Sequence, residues 1–426
     1  MILPAIVKTK SSYMRTRYNN ILISVAAALA VISAASCSRE DDDPFSDNLY
    51  LTSAEKVFTT QTANISSLLG ILSSTNPEVA RLSSHVKHAV DVWRVTYTTS
   101  LYDEEITASG LICFPATPGN YPVLSFQNGT NTEHSNAPSV YPSNFSYLLV
   151  QNVASMGFVV IIPDYPGFGS SEDKAHPYLL KEPTVRSVKD MLEALREFDT
   201  DIALTGSVTD DLYLFGYSQG GWATLALHSD IEANGAAGFT LVASAAGAGP
   251  ASLTEVLTGV ITATEYPMPS YFAYIAHAYR TYNRFTVGYA DIFKEPYASR
   301  IPTLFNGMMS TGSINGQLTT RIADLLKAEF IAGFGTNPAY AGVWAALEEN
   351  SIEAWNTSVP LLLTHGEDDT QVPSAGTVSF YNNMIGAGSL PSVVTMELIP
   401  EADHGDGLLP ASVKSLLFLI ELTGKK

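Results

Sequence analysis

Apolar runs and amphipathic segments alternate along this chain from about residue 90 onward. Alternating apolar and polar positions predict two strands that form an opening hairpin, and the near-continuous apolar run 157–162 is typical of a strand buried on both faces of a parallel sheet. The predicted strands in this part are 90–98, 104–115, 123–126, 157–162, 211–216 and 238–244, and the predicted helices are about 147–156, 184–198 and 219–231. Strands that alternate with helices predict an α/β sheet with short right-handed crossovers.

The alternation stops between residues 249 and 350 and then resumes, with strands at 359–364 and 393–399 and helices at about 374–384 and 410–422. The interrupting segment contains 15 of the 43 aromatic residues of the chain, which is more than its share. We predict that it is an inserted helical cap. Its aromatic side chains are expected to divide between the core of the cap and an apolar substrate cleft.

This pattern divides the chain into segments. Residues 76–248 and 351–426 are the two parts of the α/β core, and residues 249–350 are the cap. Residues 38–75 are expected to be a tether and N-terminal extension with little structure, apart from a helix within 52–72.

The first 37 residues have the pattern of a targeting segment. Four basic residues precede an apolar run from Ile21 to Ala35, which is short for a membrane span and is followed by A-A-S-C ending at Cys37. This resembles a bacterial lipoprotein signal, which implies lipidation of Cys37, membrane anchoring through the attached lipid, and an exported outer-membrane or cell-surface protein. Plain secretion and a retained N-terminal anchor helix remain open as alternatives.

Composition excludes several function classes. Lys and Arg total 23 against 42 Asp and Glu, a net charge of −19, so nucleic acid is not an expected partner. The eight histidines show no H-E-x-x-H or paired Cys/His spacing, and neither a metal nor a cofactor is expected. Cys113, in an apolar strand, is predicted to be a buried thiol without chemistry.

Candidate chemistry begins with G-Y-S-Q-G at residues 216–220, between a predicted strand and a predicted helix. This is the nucleophile-elbow pattern, in which the serine projects from a tight strand-to-helix turn. Side chains at Gly216 or Gly220 would collide with the neighbouring strand or helix, whereas Ser218 would project alone. An ordinary surface turn of small residues is the alternative.

A serine nucleophile needs a base and a group that holds the base, and both types of residue follow later strands. The strand at 359–364 leads into H-G-E-D-D-T-Q-V-P, and the strand at 393–399 leads into E-A-D-H-G. We predict that Asp369 and His404 are the acid and the base. Glu367 and Asp368 remain possible substitutes for Asp369, and a helix-capping turn carboxylate and a surface-loop histidine are the non-catalytic alternatives.

The order Ser218, Asp369, His404, with each residue after a predicted strand, resembles the α/β-hydrolase superfamily. V-L-S-F-Q-N-G-T at 123–130 and D-Y-P-G-F-G-S-S at 164–171 resemble its bacterial and secreted fungal lipase/esterase branch. The resemblance implies an α/β-hydrolase fold. It also implies that the loop after the strand at 123–126 supplies an oxyanion-hole N–H from Thr130 or Gly129, beside that of Gln219 at the start of the elbow helix. An ordinary Asn-Gly turn is the alternative for this loop.

We therefore predict a serine carboxylic-ester hydrolase, an esterase or lipase, that works through an acyl-enzyme on small-molecule, lipid or glycan esters. One rival is a serine peptidase of the same fold, although no obvious acidic pair in the cap supports it. The other is a non-enzymatic binding lipoprotein on a hydrolase scaffold.

Overall fold

The structure is a computed structural model that describes residues 45–74 and 76–424. The fold described below is that of the compact unit Asn48–Lys426. The predicted targeting segment, with Cys37, lies outside the described residues. Within the described part of the chain, no helix is both long and apolar enough to span a bilayer.

Nine strands form one sheet. They are β1 (Leu51–Thr60), β2 (Val90–Leu101), β3 (Glu104–Pro115), β4 (Asn120–Gln127), β5 (Val159–Pro163), β6 (Ser207–Tyr217), β7 (Thr240–Gly247), β8 (Leu361–Gly366) and β9 (Val394–Ile399). Their spatial order is β1-β2-β3-β5-β4-β6-β7-β8-β9. The pairs β1–β2, β2–β3 and β3–β5 are antiparallel, and every later pair in this spatial order is parallel. The predicted opening hairpin and the mostly parallel sheet are confirmed.

The expectation of little structure before residue 75 is wrong from Leu51 onward, because β1 pairs with β2 along the edge of the sheet. The register shifts twice within β1, and only Leu51 is buried, so the strand has no regular alternation for a sequence pattern to detect. The Glu197 carboxylate accepts hydrogen bonds from the N–H groups of Leu49, Tyr50 and Leu51 and so anchors the start of the strand.

Helices cover both faces of the sheet. The core helices are α1 (Thr62–Leu72), α2 (Val79–Ser83), α3 (Phe145–Gln151), α4 (Lys181–Asp201), α5 (Gln219–Asn234), α14 (Ser374–Gly386) and α15 (Leu408–Thr423). Apolar residues of α1, α2 and α15 pack on one face, against Tyr213 and Phe215 of β6. The alternate residues Leu212 and Leu214 are buried on the other face, because side chains alternate across a strand. The helix predicted within 52–72 is confirmed only in the second half of that range, which forms α1.

The segment between β7 and β8 is helical, as predicted. Its helices are α6 (Leu253–Thr262), α7 (Pro269–Thr281), α8 (Tyr289–Ile292), α9 (Tyr297–Leu304), α10 (Thr311–Asn315), α11 (Ile322–Leu325), α12 (Ala328–Gly333) and α13 (Ala341–Asn350). The two ends of this cap lie side by side, since the N–H of Ile352 donates to the Ala251 carbonyl at 2.7 Å. At the same point the Trp222 indole donates to the Asn350 carbonyl at 3.0 Å and ties the end of the cap to α5.

Candidate active site

The carboxyl ends of parallel strands meet at one edge of a sheet, and Ser218 lies there, directly after β6. Its φ is 60° and its ψ is −122°, a conformation that is unusual for a residue with a side chain. The N–H of Ser218 donates to the Gly247 carbonyl of the adjacent strand at 2.8 Å, and its carbonyl accepts from the N–H of Trp222 at 3.1 Å. The surrounding strand and helix therefore maintain a backbone strain on the order of 1–3 kcal/mol.

Two glycines make the turn possible. A Cβ at Gly216 would lie 2.3 Å from the carbonyl oxygen of Gly220. A Cβ at Gly220 would lie 2.0 Å from the carbonyl oxygen of Gln127, at the end of β4. Each approach is far inside van der Waals contact, so both positions require glycine, as the sequence pattern indicated.

Ser218, His404 and Asp369 form a continuous hydrogen-bonded chain. The Oγ of Ser218 lies 2.9 Å from Nε2 of His404, and Nδ1 of His404 lies 2.6 Å from Oδ2 of Asp369. Since an ionised carboxylate only accepts hydrogen bonds, Nδ1 carries the proton and Nε2 is free to accept the proton of the serine hydroxyl. The arrangement can deprotonate the hydroxyl as it attacks a carbonyl carbon.

The Asp369 side chain is buried and is bonded to His404, whereas Glu367 and Asp368 are exposed. Burial alone would raise the pKa of Asp369, but hydrogen bonds outweigh it and hold the pKa well below its usual range. The donors are His365 and His404 to one oxygen, and the N–H groups of Gln371 and Val372 to the other. Asp369 therefore stays ionised beside the imidazole.

His404 is also held through its backbone. The hydroxyl of Tyr217, the last residue of β6, donates to the His404 carbonyl at 2.8 Å, and the two ring centroids lie 5.2 Å apart. Burial raises the pKa of Tyr217, so the hydroxyl remains a donor at all ordinary pH values. The residue before Ser218 thus positions His404.

The loop after β4 lies against the start of α5, which brings the predicted oxyanion residues to the serine turn. The contact is between Gln127 and Gly220, as their close approach shows. The hydroxyl of Thr130 lies 2.9 Å from that of Tyr178, and the Asn128 amide donates to the Pro163 carbonyl at the end of β5. The loop is therefore tied to both neighbouring segments, with the N–H of Gln219 opening α5 beside it.

A narrow apolar cleft adjoins Ser218. Its walls are Tyr178, Leu179, Ser218, Gln219, Pro250, Leu253, Val256, Leu257, Val260, Tyr266, Tyr271, Phe272, Ile275, Gln371 and Val372. The apolar residues of α6 recur at helical spacing and present one face to it. The cavity volume is about 40 Å³, enough for a few water molecules at about 10–15 Å³ each. The cap thus leaves little free space beside the serine.

Cap tyrosines are bonded to the loops that carry the site. Tyr266 donates to the carbonyl of Gln371 at 3.0 Å, and Tyr274 donates to that of Asn131 at 3.3 Å. Tyr274 also stacks on Tyr178, with centroids 4.4 Å apart. Some cap aromatics line the cleft and others pack within the cap, as expected. Their hydrogen bonds to the loops that carry Asn131 and Gln371 were not visible in the sequence.

His176 has a structural hydrogen bond rather than a contact with the serine. Its Nδ1 lies 2.8 Å from the Pro166 carbonyl, and its Nε2 lies 2.9 Å from the side-chain amide nitrogen of Gln219. Burial lowers the pKa of His176 to about 4, so the ring is neutral near neutral pH. It accepts from the amide and holds the first residue of α5.

No cluster of three or more His, Cys, Asp or Glu in the described residues is arranged to hold a metal ion. Cys113 is a fully buried free thiol, and burial raises its pKa.

Comparisons with a protein-family model and with solved structures agree on the fold of this chain. A family model described as "Alpha/beta hydrolase family" matches residues 129–412. A solved structure from Legionella pneumophila has a TM-score of 0.79 at 24% identity, over 88% of this chain and 99% of its own. The rice cell wall degrading esterase LipA from Xanthomonas oryzae has a TM-score of 0.75 at 23% identity, over 89% and 98%. Candida antarctica lipase A in its closed state has a TM-score of 0.61 at 14% identity, over 89% and 86%. No curated protein matches the sequence.

Proposed function

Because the chain belongs to the alpha/beta hydrolase family, we propose that it is a serine carboxylic-ester hydrolase, an esterase or lipase, that acts through an acyl-enzyme. The observation that carries the proposal is the hydrogen-bonded chain from Ser218 through His404 to Asp369 at the carboxyl edge of the sheet. A serine hydroxyl is a poor nucleophile without such a base, and this geometry supplies one.

In the first half-reaction the Ser218 Oγ attacks the ester carbonyl carbon while its proton moves to Nε2 of His404. The tetrahedral oxyanion accepts hydrogen bonds from the N–H of Gln219 and from that of Thr130 or Gly129. His404 then returns the proton to the departing alcohol, which leaves an acyl group on Ser218. In the second half-reaction water attacks this ester with the same proton transfers, and the carboxylic acid is released.

Asp369 holds the imidazole in the required tautomer and stabilises the imidazolium without taking its proton. Its four hydrogen-bond donors support this role, because they lower the proton affinity of the carboxylate. Loss of one oxyanion donor typically costs on the order of 3 kcal/mol of transition-state stabilisation. The backbone N–H groups are therefore as important to the proposal as the triad.

The lining of the cleft favours an ester over a peptide. A peptidase of this fold often has an acidic group that binds the amino end of its substrate, and none of the cleft residues is acidic. Apolar side chains from α6 and α7 suit an apolar acyl or alcohol group. Among proteins of similar fold, one is described as a cell wall degrading esterase and another as a lipase. Small-molecule, lipid and glycan esters are the proposed substrates.

Hydrolysis of short p-nitrophenyl esters by purified wild type and Ser218→Ala tests this assignment. We expect the variant to lose hydrolysis while its circular dichroism spectrum and melting temperature stay close to those of the wild type. Retained activity would refute the assignment of Ser218. A peptide panel separates the peptidase: turnover of peptides but not of esters would favour it. Inactivity of the wild type on both panels would favour a binding protein.

We also propose that the protein is exported and anchored through a lipid on Cys37. The support is the order of basic residues, apolar run and small residues before Cys37 in the sequence. Mass spectrometry of the mature N-terminus tests this, with a diacylglyceryl-modified Cys37 as the expected result. An unmodified mature N-terminus would indicate plain secretion, and an intact one a retained anchor.

A further inference from the structure

His365, the penultimate residue of β8, contacts the same carboxylate oxygen of the proposed catalytic acid as His404 does. Its ring is fully buried. Nε2 lies 2.7 Å from the Val372 carbonyl and 3.1 Å from Oδ2 of Asp369, and Nδ1 lies 2.7 Å from the Thr377 hydroxyl. The ring thus joins the strand, the turn that carries the acid and the helix α14 that follows the turn.

These contacts determine the tautomer of His365. A carbonyl oxygen only accepts hydrogen bonds, so the short contact with Val372 requires the proton on Nε2. In the neutral ring Nδ1 is then an acceptor, and the Thr377 hydroxyl must donate to it. The Nε2–H group is shared between the carbonyl and the Asp369 carboxylate, and Thr377 keeps the ring in that orientation.

As a result, one carboxylate oxygen of Asp369 receives two imidazole N–H groups. Oδ2 accepts from His404 at 2.6 Å and from His365 at 3.1 Å, while Oδ1 accepts from two backbone N–H groups. Every additional donor lowers the proton affinity of a carboxylate and restricts its rotation. His365 therefore acts on the same oxygen that holds the base.

We propose that His365 is a positioning residue that sets the orientation and basicity of Asp369 and, through Asp369, how His404 is held as the active base. The inference rests on the proposed function for its catalytic readout, but not for its spectroscopic one. Without the His365 donor, the Asp369 carboxylate would be more basic and would stabilise the imidazolium form of His404 more strongly. The acid limb of the pH profile of kcat/KM would then move to higher pH, because His404 must be neutral to accept the serine proton.

Other titratable groups face Asp369 and are present in every variant considered. From β6, the cap and the loop after β9 these are Tyr217, Tyr266, Tyr271 and His404. Asp403, beside His404 in the sequence, is exposed to solvent. The pKa values of the three tyrosines are raised, chiefly by burial and in part by the Asp369 charge, so the hydroxyls stay neutral across the pH range in question. Glu367 and Asp368 are exposed to solvent. The variants below change none of these groups.

Two amide variants distinguish the loss of the hydrogen-bond donor from the loss of side-chain volume. His365→Gln places an amide N–H near the position of Nε2, whereas His365→Asn reaches only the position of Nδ1 and leaves Asp369 without that donor. We expect His365→Asn to move the acid limb of kcat/KM up by roughly half to one pH unit and to lower the plateau on the order of tenfold. His365→Gln is expected to stay closer to the wild type on both measures.

His228→Asn is the matched control. His228 is another fully buried histidine, on α5, and it pairs with Glu232 rather than with the triad. We expect it to reduce stability without moving the acid limb. An equal shift in His228→Asn and His365→Asn, or an unshifted limb in His365→Asn, would overturn the proposal. If His365→Asn does not fold, Thr377→Val serves instead, because it removes the hydroxyl that holds the His365 ring in place. We expect it to move the acid limb of kcat/KM in the same direction by a smaller amount. An unshifted acid limb would again overturn the proposal.

A proton NMR titration gives a readout that does not need turnover. The low-field resonance of the proton between His404 and Asp369 is followed against pH in wild type and His365→Asn. A midpoint displaced upward in the variant supports the proposal, and an identical midpoint contradicts it. If the wild type hydrolyses no ester, the proposed function fails but this test still decides the role of His365.

Discussion

Gly220 is the position where the smallest substitution should have the largest effect. A Cβ there would lie 2.0 Å from the carbonyl oxygen of Gln127 and 2.9 Å from that of Asn128. Ordinary van der Waals contact begins near 3.4 Å, so Gly220→Ala requires the end of β4 and the start of α5 to separate by about 1.4 Å. Both contact atoms are backbone, which has no rotamer to adopt instead.

The cost divides between folding and catalysis. Overpacking of this kind typically lowers the free energy of unfolding by about 1–3 kcal/mol. The shift also moves the loop of the proposed oxyanion donors away from Ser218, and a displacement of about 1 Å can cost on the order of 10²-fold in rate. A 10²-fold loss corresponds to about 2.7 kcal/mol of transition-state stabilisation. We therefore expect kcat to fall by about that factor while KM changes much less, since the oxyanion forms only in the transition state.

The assay combines urea unfolding with ester hydrolysis for the wild type, Gly220→Ala and Gly70→Ala. Gly70 lies within α1, and a Cβ there meets no atom within 4 Å. Gly70→Ala is expected to gain on the order of 0.5–1 kcal/mol in stability through helix propensity and to keep wild-type kcat. Wild-type stability and kcat in Gly220→Ala would refute the reasoning, because the two backbones could not then be in contact.

Three further outcomes follow from the structure. The pKa of Asp369 is depressed in the folded state, so its contribution to stability is present above about pH 4 and is lost as the pH falls from there toward the lower folded value. Urea unfolding from about pH 3 to 6 should therefore show that the difference in unfolding free energy between wild type and Asp369→Asn narrows on acidification. A constant difference would contradict this. Tyr266→Phe removes the hydroxyl that holds the Gln371 carbonyl and should lower the free energy of unfolding by about 1 kcal/mol, with a measurable fall in kcat; unchanged values of both would show that the cap does not brace the turn. Cys113 is buried and its pKa is raised, so iodoacetamide should modify it only as fast as the protein unfolds. Peptide mass spectrometry measures the modification, and rapid labelling of the native protein would contradict the burial of Cys113.

The parts of the site that follow from local rules could be predicted from the sequence. A glycine-flanked serine between an apolar strand and a helix is a backbone requirement, and the structure brings Ser218, Asp369 and His404 into contact. Their proximity was predictable because the carboxyl ends of parallel strands meet at one edge of the sheet whatever the intervening chain does. The choice of these three residues also used their order, which resembles that of α/β-hydrolases. The boundary of the cap was visible for a related reason, since the strand–helix alternation ceases there.

Other features depend on contacts that no local pattern encodes. Strand β1 is held by backbone hydrogen bonds along an exposed edge, so its side chains carry no apolar alternation. His365 lies in H-G-E-D-D, four residues before Asp369, and this spacing was a visible signal. It indicates contact only once the turn after Gly366 folds the chain back, because residues four apart in an extended strand are far from each other.

The bracing by the cap is the least predictable feature. Tyr266 and Tyr274 reach carbonyl groups that are more than 100 residues distant in sequence. Their aromatic character indicated only burial, and the hydrogen bonds depend on how the cap helices pack over the core. Aromatic content therefore predicts that a cap exists, but not which loops it holds.

The central claim is that Ser218 is a nucleophile activated by His404. The most direct measurement is peptide mapping by mass spectrometry after incubation with a fluorophosphonate, which reacts covalently with activated serines. We predict one phosphonyl group, on Ser218, and a labelling rate that falls by several orders of magnitude in His404→Ala. A wild type that stays unlabelled, or that is labelled at another residue while ester hydrolysis is inhibited, would contradict the account.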